Sequence, residues 1–250
     1  MPSFDVIAFD GDDTLWHNER EYRMARDRFR DLLARSGVRA TEEEIDERVN
    51  QTELRNLRYY GYGVSSFVLS LIESSIELTA GRIAADDILE MLRLSKQMIT
   101  CTVELFDGAE EALARLAATH PLMLITKGDL LHQRSKVDQS GLGGYFRHIE
   151  VVSHKTEDTY ASILSRNAIE PSHFLMVGNS VRSDIAPVVQ IGGWAVHIPA
   201  ELGWSHEDGD LPDAGGDRCF TLERLRQLPD LVDDLGRRTR SPLDARSSAE

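Results

Sequence analysis

Two aspartates spaced by two residues, Asp10 and Asp12, follow an apolar run that begins near Phe4 and ends at Phe9. A carboxylate can attack a phosphoryl group to form an aspartyl-phosphate, and a second can act as general acid and then general base. The spacing lets both point into one pocket, so we predict Asp10 as nucleophile and Asp12 as acid/base. A simpler interpretation is that Asp12 or Asp13 only caps a helix. Clustered carboxylates are unfavourable without a cation, which favours the chemical interpretation.

Two further polar residues follow apolar runs later in the chain. Thr126 follows residues 122–125, and its hydroxyl is a candidate to hold a phosphoryl oxygen, although a threonine at this position often caps the next helix. Lys155 follows the run 148–152, and its ammonium would offset the carboxylates and the charge that develops on a phosphoryl group. Taken alone, such a lysine would be a solvated surface residue.

A possible metal site lies in residues 178–184, GNSVRSD. Asp184 offers a carboxylate, and Asn179 offers an amide oxygen. Mg²⁺ prefers oxygen ligands and usually takes one or two carboxylates together with waters and a substrate phosphate, so it is the predicted cofactor. The structural alternative is a glycine turn in which Ser180 or Ser183 caps the next helix, and both interpretations can hold together.

The elements that must position these residues alternate between strands and helices. The apolar runs predict buried strands that end near residues 9, 125, 152, 177 and 198, and helical patterns cover 109–119, 129–139, 156–167 and 182–190. This alternation indicates an α/β fold with a doubly wound parallel sheet and helices on both faces. Ligands bind outside the carboxyl ends of the strands in such sheets, where the candidate residues are expected to meet.

Residues 17–102 interrupt this alternation with a wholly helical pattern. Helices are predicted at 19–36, from Thr41 onward, at 64–78 and at 86–99. Because this segment follows the first strand, we predict a helical cap over the carboxyl edge of the sheet. The predicted domains are thus a catalytic core of residues 1–16 and 103–237, a cap of residues 17–102 and a disordered tail of residues 238–250.

The cap is expected to select the substrate. Arg55 and Tyr59 are candidate substrate-binding residues, although Tyr59 could equally pack against neighbouring cap helices. In the core, Thr126, Lys127 and Gly128 are candidates for the same role. Trp204 and His206, after the last predicted strand, are expected near the rim of the site.

Composition narrows the class of protein. The net charge of −14 argues against general binding to nucleic-acid backbones, which requires a basic surface. No segment is apolar enough to span a membrane, and no signal peptide is predicted. Two cysteines, Cys101 and Cys219, are too few for a disulfide framework. We therefore expect a cytoplasmic protein with a small-molecule substrate and without nucleic-acid or membrane partners. The sequence does not predict an oligomeric state.

The chemical residues together resemble the haloacid dehalogenase (HAD) superfamily of hydrolases. Residues 10–14, DGDDT, are similar to its first motif, Thr126 to its second, Lys155 to its third and residues 178–184 to its fourth. The resemblance extends to about residue 235 and includes a helical cap inserted after the first strand. It implies a Rossmann-like core, Mg²⁺ and an aspartyl-phosphate intermediate.

The resemblance also implies roles for individual residues. Asp10 would be the nucleophile, and Asp12 would be the acid/base and would offer its backbone carbonyl to the metal. Asp10, Asp12, Asn179 and Asp184 are then the predicted metal ligands. The dehalogenases of the family lack an acid at the position of Asp12 and need no metal, so the resemblance favours its phosphatases.

One position departs from the phosphatase pattern. Asn179 stands where these enzymes usually have a metal-binding aspartate, which removes one negative charge from the site. The sequence therefore predicts a Mg²⁺-dependent phosphatase of a small phosphomonoester. The alternatives are a sugar-phosphate mutase or phosphotransferase that uses the same intermediate, and a weakly active relative that binds a ligand or a protein.

Overall fold

Six parallel strands form the sheet of the computed structural model, which describes residues 4–202, 204, 207, 209–211 and 213–238. The strands are β1 (Val6–Phe9), β2 (Leu122–Lys127), β3 (Phe146–Val152), β4 (Phe174–Gly178), β5 (Trp194–His197) and β6 (Cys219–Thr221). Their order across the sheet is β3-β2-β1-β4-β5-β6. The predicted α/β fold with a parallel sheet is confirmed, and β6 is an additional strand at one edge.

Helices lie between successive strands along the chain, and further helices follow the last strand. The α-helices are α1 (Glu19–Arg35), α2 (Glu42–Tyr60), α3 (Val64–Leu78), α4 (Ala85–Thr100), α5 (Ala109–Ala117), α6 (Leu130–Ser140), α7 (Glu157–Arg166), α8 (Ala186–Gln190) and α9 (Leu228–Arg238). Short 3-10 helices lie at Leu142–Tyr145, Pro171–His173, Asp213–Arg218 and Leu225–Gln227. The single helix predicted over 182–190 is instead a π-helical turn, Val181–Ile185, followed by α8.

Apolar side chains on the two faces of the sheet build two separate parts of the core. Because side chains alternate along a strand, Ile7 and Phe9 of β1 face the cluster that includes α5 and α9. Val6 and Ala8 face the opposite cluster, which includes α7. The central strands are therefore buried on both sides, as the continuous apolar runs predict.

Helices α1 to α4 lie between β1 and β2 in the chain and have an apolar cluster of their own. Phe29, Val49 and Phe67, from three different helices, are buried in it. The start of α2 is fixed by a capping box, in which the Thr41 hydroxyl accepts from Glu44 N and the Glu44 carboxylate accepts from Thr41 N.

The two connections between this helical segment and the sheet run side by side. Trp16 and Leu105 form an antiparallel bridge. His17 N donates to Glu104 O at 2.9 Å, and Phe106 N donates to Leu15 O at 3.0 Å. The chain therefore leaves and re-enters the sheet region at one place.

The last described helix, α9, ends at the residue where the predicted tail begins, and residues 239–250 lie outside the described part of the chain. None of the helices described is both long enough and apolar enough to cross a membrane.

Candidate active site

The carboxyl ends of neighbouring strands bring the candidate residues together. Asp10 directly follows β1, and Thr126 lies near the end of β2, which pairs with β1. Asn179 directly follows β4, which pairs with β1 on its other side. Lys155 follows β3, the neighbour of β2. The strand order thus gathers residues that are distant in sequence.

One ammonium shared by two buried carboxylates forms the centre of the site. Lys155 Nζ donates to Asp10 Oδ1 at 2.5 Å and to Asp184 Oδ1 at 2.6 Å. Lys155 is only 6% exposed, so the interpretation that it is a solvated surface residue is wrong. Because one cation serves two carboxylates, this group of three side chains has an excess of negative charge.

The electrostatics of this group follow from burial and from that excess charge. Burial raises the pKa of Asp10 above its ordinary range, and the charge of Asp184 adds to the effect although Lys155 opposes it. Burial lowers the pKa of Lys155, but attraction to the two carboxylates outweighs burial and raises it. Lys155 therefore remains protonated, and a further cation near Asp10 would be favourable.

Asp184 is held close to the end of β4 by the π-helical turn. Its Oδ2 accepts from Ser180 N at 3.1 Å, and the Ser180 hydroxyl accepts from Ser183 N at 3.0 Å. Ser180 therefore caps this turn, as one interpretation predicts, and the same turn places the Asp184 carboxylate beside the end of β4. A Cβ at Gly178 would lie only 2.2 Å from Asp184 Oδ2, so this close approach requires glycine.

The change Gly178→Ala is expected to displace Asp184 and to lower the free energy of unfolding by about 1–3 kcal/mol, because the added methyl group has no room. Equilibrium unfolding in urea measures this loss. Gly144→Ala is the control, because nothing lies within 4 Å of a Cβ at Gly144. Equal stabilities of the two variants would contradict the prediction.

Asp12 is held by side chains from the loop after β1 and from α6. Trp16 Nε1 donates to Asp12 Oδ1 at 2.6 Å, and Gln133 Nε2 donates to Oδ2 at 2.8 Å. Lys136 Nζ contacts both carboxylate oxygens, at 2.8 and 3.0 Å. Burial raises the pKa of Asp12, but the charge and hydrogen bonds of these donors outweigh burial and lower it. Asp12 is therefore an ionised, firmly oriented carboxylate.

Asp13 has a structural role. Its Oδ1 accepts from Asn18 N at 2.9 Å, and Glu19 N lies 3.1 Å from both carboxylate oxygens. These contacts satisfy backbone donors at the start of α1. The helix-capping interpretation therefore describes Asp13 and does not describe Asp12.

The hydroxyl of Thr126 is buried and has no hydrogen-bond partner among the described residues. Asp129 caps the next helix, because its carboxylate accepts from Leu131 N at 3.0 Å and His132 N at 3.1 Å. The interpretation that Thr126 caps α6 is therefore wrong. An unpaired buried hydroxyl is unfavourable, and an oxygen of a bound ligand would supply the missing partner.

A cavity of about 140 Å³ joins these groups to the inner side of the helical segment. All the predicted catalytic and metal-binding residues line it, namely Asp10, Asp12, Thr126, Lys155, Asn179 and Asp184. Lys127 and Trp204 also line it, whereas Gly128 does not. His206 lies outside the described residues.

The two substrate-binding residues predicted on α2 do not reach the cavity. Glu53 and Leu57, one helical turn apart, line it, so Arg55 and Tyr59 lie on a different side of the helix. Arg55 instead pairs with Glu77 at 3.4 Å, and Tyr59 is 66% exposed. The prediction for these two residues is corrected because it did not consider which helix face is buried.

Lys127 links the sheet, the helical segment and the loop after β5. Its ammonium pairs with Glu207, donates to Ser183 Oγ at 2.9 Å and lies 4.2 Å from the centre of the Tyr62 ring. Glu207 also accepts from the hydroxyls of Ser180 and Ser183, each at 2.6 Å. Burial raises the pKa of Glu207, but Lys127 and these hydrogen bonds outweigh it and lower the pKa to about 2.

This pair predicts a loss of stability in acid. The pKa of Glu207 is depressed in the fold, so its contribution is complete above the ordinary glutamate pKa of about 4.3 and declines as pH falls toward 2. We expect a contribution of up to about 3 kcal/mol at neutral pH. Unfolding in urea, measured from neutral pH down to pH ~3, gives the free energy of unfolding of the wild type and of Glu207→Gln. The difference between these two free energies should become smaller as the pH falls. A constant difference would contradict the assignment.

Comparison with known proteins identifies the family to which this chain belongs. A family model described as haloacid dehalogenase-like hydrolase matches residues 4–192. A solved haloacid dehalogenase-like family hydrolase from Xanthomonas campestris is 38% identical, with 94% of this chain and 95% of that chain covered and a TM-score of 0.83. No curated protein matches the chain. This chain belongs to the HAD-like hydrolases.

More distant HAD structures share the fold. The putative HAD-hydrolase YfnB from Bacillus subtilis, bound to magnesium, is 17% identical, with 92% of this chain and 99% of that chain covered and a TM-score of 0.65. A 2-haloacid dehalogenase from Pseudomonas syringae pv. Tomato DC3000 is 20% identical, with 93% and 99% covered and a TM-score of 0.62. At these identities, the likeness establishes the HAD fold and leaves the reaction to be argued from the site.

The oxygen atoms around Asp10 suit the Mg²⁺ that HAD enzymes generally use. Thr14 Oγ1 lies 3.3 Å from Asp10 Oδ2 and 3.2 Å from Asn179 Oδ1, and Lys155 joins Asp10 to Asp184. The side-chain oxygen atoms of Asp10, Asn179 and Asp184 therefore lie close together. No group of three acidic, histidine or cysteine side chains suited to a metal occurs within the described ranges. Two carboxylates, one amide and no soft ligand are nevertheless a donor set that suits Mg²⁺.

Proposed function

We propose that this HAD-like hydrolase is a Mg²⁺-dependent phosphatase that hydrolyses a small phosphomonoester through an aspartyl-phosphate on Asp10. The observation that carries the proposal is the unpaired, buried hydroxyl of Thr126, in the same cavity as Asp10 and the ammonium of Lys155. A hydroxyl donor and a fixed cation are the groups that bind and stabilise a transferring phosphoryl group.

The first step is attack by an Asp10 carboxylate oxygen on phosphorus. A bond forms between this oxygen and phosphorus, the bond from phosphorus to the leaving oxygen breaks, and that oxygen takes a proton from an acid. Lys155, already bonded to Asp10 Oδ1, holds the nucleophile in a fixed orientation. Mg²⁺, held by Asp10, Asn179, Asp184 and the backbone carbonyl of Asp12, would supply positive charge for the phosphoryl oxygens.

The second step is hydrolysis of the aspartyl-phosphate. Water attacks phosphorus, Asp12 accepts a proton from this water, and the bond to Asp10 breaks to release inorganic phosphate. The ionised state of Asp12 in its contacts with Lys136 and Gln133 suits this base role. To protonate the leaving oxygen in the first step, Asp12 must first bind a proton, which requires a weaker contact with Lys136.

The helical segment is proposed to act as the cap of this site. Tyr62, between α2 and α3, contributes to the cavity wall and contacts Lys127. A closed cap would exclude bulk water and restrict the site to small substrates. The cytoplasm is the proposed location, and the free thiols of Cys101 and Cys219 agree with it.

The test is release of inorganic phosphate from an aryl phosphate and a panel of small phosphomonoesters, with Mg²⁺ and with EDTA. Release that requires Mg²⁺ is expected. Halide release from 2-chloropropionate is measured in parallel, because a dehalogenase would form an ester on the same aspartate. Halide release without phosphate release would overturn the proposal in favour of a dehalogenase.

A further inference from the structure

The inner side of the helical segment forms the part of the cavity wall that would contact the leaving group of a substrate. Its polar members include Tyr22, Arg26, Glu53 and Ser66, and its apolar members include Phe67. The proposed mechanism gives none of these side chains a role. Their charges therefore bear on which substrate the site accepts.

Arg26 is the cation of this wall, and it already has a partner. Its guanidinium pairs with Glu53 and lies 5.5 Å from the centre of the Phe67 ring. The side chains of Arg26 and Glu53 are only 14% and 12% exposed. The pair joins α1 to α2 and is largely sheltered from water, although both residues line the cavity.

An unpaired arginine in such a wall would be a natural receptor for a carboxylate or a phosphate. Here an anion that bound at Arg26 Nη2 would have to displace the Glu53 carboxylate. The displaced carboxylate would then remain mostly buried without a cation, which is strongly unfavourable. The pair therefore disfavours the binding of an anion at Arg26.

The other charged group nearby adds to this effect. Glu19, at the start of α1, lines the same cavity, and the charges of Arg26 and Arg23 attract its carboxylate. Burial raises the pKa of Glu19 and of Glu53 to about 7, so both are ionised at pH ~8. The wall then has two carboxylates and one guanidinium, and its other polar groups, such as Tyr22 and Ser66, are neutral.

We propose that Glu53 masks Arg26 so that the site selects phosphomonoesters with an uncharged, hydroxyl-bearing leaving group and rejects those that carry a second anionic group. The inference rests on the proposed phosphatase function and specifies its substrate class. Tyr22 and Ser66 can hydrogen-bond to hydroxyl groups, and Phe67 can pack against carbon atoms.

The test uses two three-carbon substrates that differ at one end, glycerol 1-phosphate and 3-phosphoglycerate. At pH ~8, where both glutamates are ionised, the wild type should prefer the neutral substrate. Glu53→Gln keeps the shape of the side chain and removes its charge. It should shift the ratio of kcat/KM toward 3-phosphoglycerate by about 10-fold or more, because Arg26 becomes available. The double variant with Arg26→Met should lose this gain.

A binding measurement separates this inference from the proposed function. Calorimetric Kd values for both ligands are compared in Asp10→Asn and in Asp10→Asn combined with Glu53→Gln, so that turnover is not needed. A shifted Kd ratio supports the masking role even if the wild type releases no phosphate. The absence of phosphate release would overturn only the phosphatase proposal. Unchanged ratios in both measurements would overturn the inference.

A control carboxylate lies elsewhere in the helical segment, on α3. Glu77 pairs with Arg48 and Arg55 away from the cavity. Glu77→Gln should therefore leave both ratios unchanged. An equal shift in this variant would show that loss of any carboxylate from the helical segment changes selectivity, and the masking role of Glu53 would be rejected.

Discussion

Replacement of Asp10 by asparagine should reduce kcat for phosphate release by about 10⁴-fold or more while the protein remains folded. The amide has the shape of the carboxylate but lacks the anionic oxygen that would attack phosphorus. Lys155 retains Asp184 as a partner, so its charge is not left isolated. The substitution also removes the repulsion between the two buried carboxylates that share one ammonium, so we expect little loss of stability.

Steady-state phosphate release and acid-quenched intact-mass detection of the phosphoenzyme measure this effect. The control is Asp13→Asn, because the hydrogen bonds of the Asp13 carboxylate within the described residues come from backbone donors at the start of α1, and an asparagine oxygen can accept from them. Its activity should stay within a few-fold of the wild type. A phosphoenzyme formed by Asp10→Asn would show that another side chain is the nucleophile.

Replacement of Lys155 by methionine should lower the free energy of unfolding by about 3–5 kcal/mol, because it leaves two buried carboxylates without their cation. Asp10 and Asp184 are 6% and 1% exposed, so water cannot replace the ammonium well. Activity should also fall, since the cation that faces the phosphoryl group is lost. Equilibrium unfolding in urea at neutral pH without added Mg²⁺ isolates the effect on stability.

Lys136→Met is the matched comparison for Lys155→Met. Lys136 is equally buried, at 6% exposed, but it contacts a single carboxylate, Asp12, which keeps hydrogen bonds from Trp16 and Gln133. Its removal should therefore destabilise the protein less. A larger loss for Lys136→Met than for Lys155→Met would show that the Lys155 group is not the main electrostatic contribution to stability.

The fold was predictable because its strands are distinct in the sequence. Residues 122–125 and 174–177 are unbroken apolar runs, and helices such as α5 have a clear amphipathic pattern. Strand β6 was missed because its three residues, Cys219–Thr221, pair only at the sheet edge and are partly exposed. So short a segment has no periodicity from which to predict it.

The site was predictable where residues follow strands, as Asp10 and Lys155 do, since the fold fixes their place. Gln133 and Lys136, which hold Asp12, were not predicted, because they lie within a helix and do not follow a strand. Gln133 and Lys136 are three residues apart and therefore share one face of α6, and that face is buried although it is polar. A polar stripe on the inner face of a predicted helix is a signal that could have identified them.

The adjacent connections at Trp16 and Leu105 have a consequence for the history of this protein. The helical segment joins the rest of the chain through two neighbouring ends, so a different segment could be grafted there without disturbing the strand pairing that gathers Asp10, Lys155 and Asp184. Under the proposed function, the helical segment selects the substrate and the strand ends carry out the reaction, so the two roles are encoded in separate stretches of the gene. Selection can exchange one while inheriting the other unchanged.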